Sequence, residues 1–197
     1  MINNLAIIPA RSGSKRIPNK NIKDFFGKPI IYYPISEALS SQIFSEVMVS
    51  TDSIKIARLS EKIGAKVPFI RSLKNSDDYS ILPDVIEEVL IEYKKLGRDF
   101  DNICCIMPTN PFLTSDILTD SFKKFKEGNG ESMIAVKKLN TPIEKTYEIK
   151  KNMLYPLFKE HFKVRTQDLS AKYSDAGSFF WVTREAFNEH KKGITSK

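Results

Sequence analysis

Cysteine and histidine are scarce in this chain of 197 residues, two of each, and that scarcity closes off disulfide and zinc scaffolds. Cys104 and Cys105 are adjacent, a spacing unsuited to an ordinary structural disulfide, so their expected role is core packing. Two cysteines and the distant His161 and His190 make no zinc pattern, and both histidines are expected at the surface. Long apolar runs are missing as well. The first, Leu5 to Ile8, is too short for a membrane span or a signal-peptide core, and cations follow it instead of a cleavage site. A cytoplasmic protein that avoids membranes is therefore expected. Neither G-x-x-x-x-G-K-[ST] nor G-x-G-x-x-G occurs, so any phosphate must be held largely by side chains.

What the chain has instead is a concentrated positive charge. From Arg11 to Lys28, eighteen residues carry six cations against one acid, which accounts for five of the seven net positive charges. Charge this local favours a defined polyanionic ligand over a nucleic-acid backbone, which would want a basic face. The loop follows a short apolar run that reads as a first strand ended by Pro9, and open α/β sheets place ligands at strand carboxyl ends. Lys28-Pro29 reads as the start of a helix whose amino end would add N–H groups near the cations. Pro34 inside that helix is expected to kink or shorten it.

Strands and helices then alternate. Val47 to Val49 reads as a strand ending at Asp52, which could cap the helix from Ile54 to Ile63 or face a ligand. Lys66 to Ile70 reads as an edge strand because of Pro68, and it delivers Arg71 into a polar loop, where pairing with Asp77 or Asp78 is one outcome. A helix is expected from Val85 to Leu96 and a central strand from Ile103 to Met107, followed by the turn Pro108-Thr109-Asn110-Pro111-Phe112. Another helix spans Ile117 to Phe125, and Met133 to Val136 reads as a buried strand after the turn Gly128-Asn129-Gly130. This alternation predicts one α/β domain over residues 1–197, with a mostly parallel sheet and helices on both faces. The rhythm breaks between Thr141 and Phe162, where aromatic and polar residues mix without a helical period. Arg165-Thr166-Gln167-Asp168-Leu169 and the run Tyr173 to Trp181 follow, with Phe179, Phe180 and Trp181 expected in the core, and a last helix spans Thr183 to His190.

The stretch Ile8-Pro9-Ala10-Arg11-Ser12-Gly13-Ser14-Lys15-Arg16-Ile17-Pro18-Asn19-Lys20-Asn21 resembles, along its length, the signature of the sugar-activating cytidylyltransferases, the CMP-sialic acid synthetase family. The blocks at Arg165 to Leu169 and Tyr173 to Trp181, together with Met107 where sialic acid enzymes carry glutamine, resemble the pseudaminic acid branch. Ser72, Ser174 and Ser178 depart from that family's proline, histidine and glutamine. The resemblance implies a Rossmann-like sheet of the nucleotide-diphospho-sugar transferase type, with residues 139–165 as a dimerisation excursion. It also implies transfer of CMP from CTP to a nine-carbon keto-sugar acid in a homodimer. N-acetylneuraminic or legionaminic acid as substrate, a non-catalytic nucleotide-binding protein and a basic nucleic-acid-binding module are the competing readings.

Carried over to this chain, Arg11 and Lys20 would neutralise phosphate charge as the catalytic pair. Lys15 and Arg16 would help hold the triphosphate. Ala10, Ser12, Gly13 and Ser14 would approach its oxygens, and Asn21 and Arg71 would contact the nucleotide. Thr109, Asn110, Arg165, Gln167, Asp168 and Asp175 would bind the sugar acid. Magnesium would bridge phosphate oxygens. The family's carboxylate-rich Asp-Ile-Asp segment, its usual metal site, has no counterpart after His190. The chain is thus expected to be either truncated relative to the family or to hold its metal through another group, such as Asp175. A chain so truncated is expected to bind CTP but turn it over slowly.

Overall fold

Leu5 to Ile8 are wholly buried in β1 (Asn4–Pro9) of the computed structural model, which describes residues 3–15, 17–128 and 131–190. After the basic loop come two short strands, β2 (Asp24–Phe25) and β3 (Lys28–Pro29), paired antiparallel. Phe26 and Gly27 turn this hairpin at φ 50° and 79°. Lys28-Pro29 therefore opens no helix, and a hairpin stands where a helix end was expected. The helix α1 (Tyr32–Ser40) begins three residues after Pro29, and the proline in its first turn is Pro34. There its missing N–H breaks no intrahelical bond, so it neither kinks nor shortens the helix.

β4 (Glu46–Ser50) and α2 (Ile54–Ile63) follow, and Gly64 ends α2 at φ 115°. The cap of α2 is Ser53, whose hydroxyl accepts from Ile56 N at 3.4 Å, so Asp52 is not the capping residue. The expected strand at Lys66 to Ile70 shrinks to one bridge. Lys66 N donates to Val47 O at 2.8 Å and its carbonyl accepts from Val49 N at 2.9 Å, after which Pro68 offers no donor.

The remaining elements are α3 (Leu82–Lys95), β5 (Asn102–Ile106), α4 (Ser115–Glu127), β6 (Ser132–Lys138), β7 (Tyr147–Lys150), β8 (Met153–Pro156), β9 (Tyr173–Thr183) and α5 (Arg184–Glu189). Five strands form a sheet in the order β4-β1-β5-β9-β6, with β1 parallel to β4 and β5, and β9 antiparallel to β5. The sheet is thus mixed. β5 is buried along its length, as a central strand should be. β6 is not the buried strand expected at Met133 to Val136, because it lies at the sheet edge and Val136 is exposed.

Alternation along the strands sends residues to two covered faces. Leu5, Ile7, Met48, Ile103, Cys105 and Val182 pack with Ile86, Val89 and Tyr93 of α3 and Phe187 of α5. On the opposite face the single tryptophan, Trp181, stacks between Phe44 and Phe125 at centroid distances of 5.3 and 5.7 Å, and its indole N–H donates to Ser121 Oγ at 2.9 Å. Each fully buried Leu, Ile or Met side chain here contributes about 1.5–3 kcal/mol. Phe179 is buried with Trp181, while Phe180 is half-buried.

The chain divides into two compact units, one made of residues up to Ile134 and from Ser178 onward, the other of Ala135–Gly177. In the second unit β7 and β8 pair antiparallel around Lys151 and Asn152, both at positive φ. Lys145 organises the segment beyond the hairpin: its ammonium donates to the carbonyls of His161, Phe162 and Val164 at 3.0, 2.9 and 2.6 Å.

Candidate active site

Parallel pairing brings the carboxyl ends of β1, β4 and β5 to one sheet edge, and the basic loop starts there. Ala10 is buried, its N–H donating to Ser50 O at 2.8 Å, which ties the loop root to the end of β4. Two residues further, Asp52 clasps the loop. Its carboxylate accepts from Ser12 N at 2.7 Å and from Ser12 Oγ at 2.5 Å. From the inner side Asn21, itself buried, donates its amide to Arg11 O at 2.9 Å, leaving its own Oδ1 buried without a hydrogen-bond partner. A buried acceptor without a donor carries a desolvation cost of about 1–3 kcal/mol, which a ligand donor would relieve. Ser14 N closes the loop apex onto Ser12 O at 2.9 Å, and Gly13 lies open to solvent.

Arg71 is only 5 % exposed, and its guanidinium lies under the loop root. Nε donates to Ser50 Oγ at 2.9 Å and Nη2 to Ser50 O, while its backbone N–H donates to Thr51 O at 2.8 Å. Burial pulls its pKa below the usual arginine range, and the charges of Asp52 and Glu88 counter that. Arg71 is therefore not the exposed partner of Asp77 or Asp78. That position belongs to Arg11, whose Nη2 lies 2.9 Å from Asp78 Oδ1 and whose Nη1 donates to Asp77 O. Lys15 pairs with the other oxygen of Asp78. The Lys15 and Arg11 contacts hold the Asp78 carboxyl below its ordinary range, as the Ser80 hydrogen bonds do for Asp77.

Lys20 opens a single 3-10 turn, Lys20–Ile22, behind Asn19 at φ 54°. It is half-buried, and no carboxylate pairs with it among the described residues. Arg16 lies outside the described residues.

At the same sheet edge the turn after β5 carries Thr109 and Asn110. Asn110 Nδ2 donates to Ser178 Oγ at 2.6 Å and Met107 N to Ser178 O at 2.9 Å, so Ser178 fixes this turn. The β2–β3 hairpin meets it through Phe25 and Phe112, edge to face at 6.2 Å. The structure thus gathers Ala10, Arg11, Ser12, Ser14, Lys15, Lys20, Asn21, Arg71, Thr109 and Asn110 at one end of the first unit.

The other four sugar-site candidates belong to the second unit. Arg165 Nε lies 2.8 Å from Asp168 Oδ2 and its Nη2 3.4 Å from Oδ1, a two-pronged pair at the surface. Asp175 Oδ1 accepts from Gly177 N at 2.7 Å, and Gln167 is exposed. Inspection of the sequence missed the parts played by Asp78, Ser50 and Lys145. A signal for the first was present: Asp77 followed three residues later by Ser80 suits a side-chain-capped turn. His161 and His190 both reach the surface with partly exposed side chains, and both cysteines are buried free thiols, as expected.

A cationic loop rooted by buried hydrogen bonds at the carboxyl end of a doubly covered sheet defines a nucleotide-handling α/β protein. The chain belongs to the cytidylyltransferase family, whose profile matches residues 5–191. It is 41% identical over 187 residues to the pseudaminic acid cytidylyltransferase of Campylobacter jejuni, covering 94% of this chain and 81% of that protein. To the CMP-N,N'-diacetyllegionaminic acid synthase of Legionella pneumophila it is 30% identical, covering 95% and 81%. Among solved structures, a CMP-2-keto-3-deoxy-manno-octonic acid synthetase complexed with CTP superposes with a TM-score of 0.72 at 17% identity, over 96% of this chain and 78% of that one. That likeness establishes the fold.

Proposed function

We propose that this cytidylyltransferase activates a nine-carbon keto-sugar acid, pseudaminic acid foremost, with CTP. The anomeric hydroxyl oxygen attacks the α-phosphorus, and the bond from that phosphorus to the bridging oxygen breaks. Pyrophosphate leaves with the electron pair, and the hydroxyl proton passes to solvent. The observation that carries the reaction is the rooted basic loop, which supplies Arg11, Lys15 and Lys20 on a fixed backbone. The choice of sugar follows the Campylobacter jejuni relative, and legionaminic and N-acetylneuraminic acids are the alternatives.

In this reading Lys20 and Arg11 meet the charge that develops as pyrophosphate departs, which is where a preorganised cation lowers the barrier most. Lys15 and Arg16 hold the outer phosphates, and of the three loop amides expected to approach their oxygens only that of Gly13 does so, because the Ser12 N–H is given to Asp52 and the Ser14 N–H to Ser12 O. Asn21 offers its unpartnered oxygen to a nucleotide donor. Arg71 contributes at the nucleotide end through the loop root that it supports. Thr109 and Asn110 bind the sugar acid at this end of the first unit; Arg165, Gln167, Asp168 and Asp175 are assigned to it by the family resemblance alone.

Magnesium is the expected metal, yet the carboxylates beside the loop do not form a shell for it. Asp52 is committed to Ser12, Asp78 to two cations and Asp77 to its own turn. Among the described residues one trio of metal-binding side chains clusters, Glu131, Glu189 and His190, at the opposite end of the sheet. No protein ligand for magnesium is assigned.

A homodimer is part of the proposal, because the β7–β8 hairpin exposes Tyr147, Ile149, Met153, Leu154 and Tyr155, an apolar density typical of interfaces. No described helix is long and apolar enough to cross a membrane. A cytoplasmic reaction belongs to the same proposal. The deciding experiment is pyrophosphate release with CTP and each candidate acid, with and without magnesium. Release with pseudaminic acid above the other acids is expected; release with none would reduce the protein to nucleotide binding. ATP, GTP or UTP supporting equal turnover would overturn the choice of CTP.

A further inference from the structure

The two cations at the mouth of the loop already hold an anion that belongs to the protein. Asp78 spans Arg11 and Lys15, one carboxylate oxygen on each, at 2.9 Å from Arg11 Nη2 and in direct contact with the Lys15 ammonium. This is how two neighbouring phosphate oxygens would be held.

The placement is built and not incidental. Asp77 turns its own carboxylate inward, accepting from Tyr79 N at 3.0 Å, Ser80 N at 2.7 Å and Ser80 Oγ at 2.6 Å. Its carbonyl meanwhile accepts from Arg11. Ser80 Oγ also lies 3.1 Å from Lys74 O, close to the start of its own segment. The locked turn leaves the next side chain, Asp78, facing the basic loop. Among the described residues Lys20, another loop cation argued to act on phosphate, has no such partner.

We propose that Asp78 is an internal competitor for the triphosphate: it holds Arg11 and Lys15 until phosphate oxygens displace it, and so sets the affinity for the nucleotide. The proposal rests on the reading that this loop binds a triphosphate. Its physical content is an exchange of one ion pair for another. A monovalent carboxylate that is 32 % exposed holds a partly solvated guanidinium and a largely solvated ammonium, and a ligand of higher charge should win that exchange at a modest cost. Displacement also frees the segment around Asp78 to close over the ligand or withdraw from it, which gives the loop a reason to be locked at Asp77 and not at Asp78.

Asp78→Asn and Asp78→Ala test this by calorimetric titration with CTP and with inorganic triphosphate, each with and without magnesium. The alanine variant guards against a new amide-to-phosphate bond in the asparagine one, and a melting curve checks that both fold. Both variants should bind either ligand about three- to tenfold more tightly than wild type, with or without the metal. Unchanged or weaker binding in both would overturn the proposal. Loss of affinity confined to magnesium-containing buffer would overturn it too, by assigning Asp78 to the metal. If wild type binds triphosphate and not CTP, the nucleotide reading fails while the displacement of Asp78 is still read from triphosphate. If it binds neither, both fail.

Discussion

The two compact units solve opposite problems. In the first, β5 is buried along its length and β1 and β4 nearly so, and polar side chains appear where they fasten a loop: Asp52 on Ser12, Arg71 on Ser50, Asn21 on Arg11. The second has no comparable core, keeps its hairpin apolar residues exposed, and is organised by one lysine on three carbonyls. The first unit can therefore hold geometry to the tolerance that chemistry demands. The second is arranged like a surface awaiting a partner. The buried core belongs to the first unit, while the second gathers five exposed apolar side chains on one hairpin.

Substitutions can break that contrast, and the largest effect should come from the unpaired cation. Lys20→Ala removes a charge that no described carboxylate shares, so turnover should fall on the order of 10²–10³-fold with the melting temperature nearly unchanged. Turnover within about threefold of wild type would take Lys20 out of the mechanism. Asp52→Ala strips both contacts from Ser12 and loosens the loop without touching phosphate. A fall of about ten- to a hundredfold in kcat/KM for CTP is expected, and an unchanged value would show that the loop holds its shape without the clasp.

The second unit is tested by Leu154→Asp, which plants a charge on the exposed hairpin face. Light scattering should then give the 22.5 kDa mass of one chain where wild type gives twice that, with nucleotide binding retained. Wild type at the single-chain mass would remove the dimer from the proposal.

The smallest effect concerns the rigid core itself. Burial pushes the Cys105 thiol up to about 12, and the charge of Arg71 only partly offsets this. An unfolded thiol titrates near 8.5. The folded state keeps its proton where the unfolded state loses it, so stability is full below about pH 8 and declines as pH rises from there toward 12. Denaturant midpoints measured across that range should fall for wild type and fall less for Cys105→Ala.

Much of the first unit was legible because its chemistry is local in the chain. A strand, a cationic loop and a turn after a buried strand are each spelled by consecutive residues. Errors arose where a signal was right in kind and attached to the wrong residue. A proline in the first helical turn does mark α1, but it is Pro34 and not Pro29; a polar cap does start α2, but it is Ser53 beside Asp52. β6 misled for another reason: four apolar residues look alike in a central and an edge strand, and strand order is set by the rest of the sheet. The partners of Asp78 and Lys145 were out of reach, since they lie 63 and 67 residues from Asp78 and 16 to 19 from Lys145; the Asp77–Ser80 turn announces a fixed turn but not the cations that Asp78 meets.

Trp181 has one more consequence, and it is optical. It is the only indole in the chain, fully buried in an aromatic stack of the first unit, and the second unit contains none. Its emission is therefore a private channel to the sheet, blue-shifted while Phe44 and Phe125 exclude water and moving to the red when they part. Circular dichroism, by contrast, sums over both units. Unfolding curves that superpose in the two signals would mean that the units melt as one cooperative body. Curves that separate would time the loss of each unit without a label or a truncated chain.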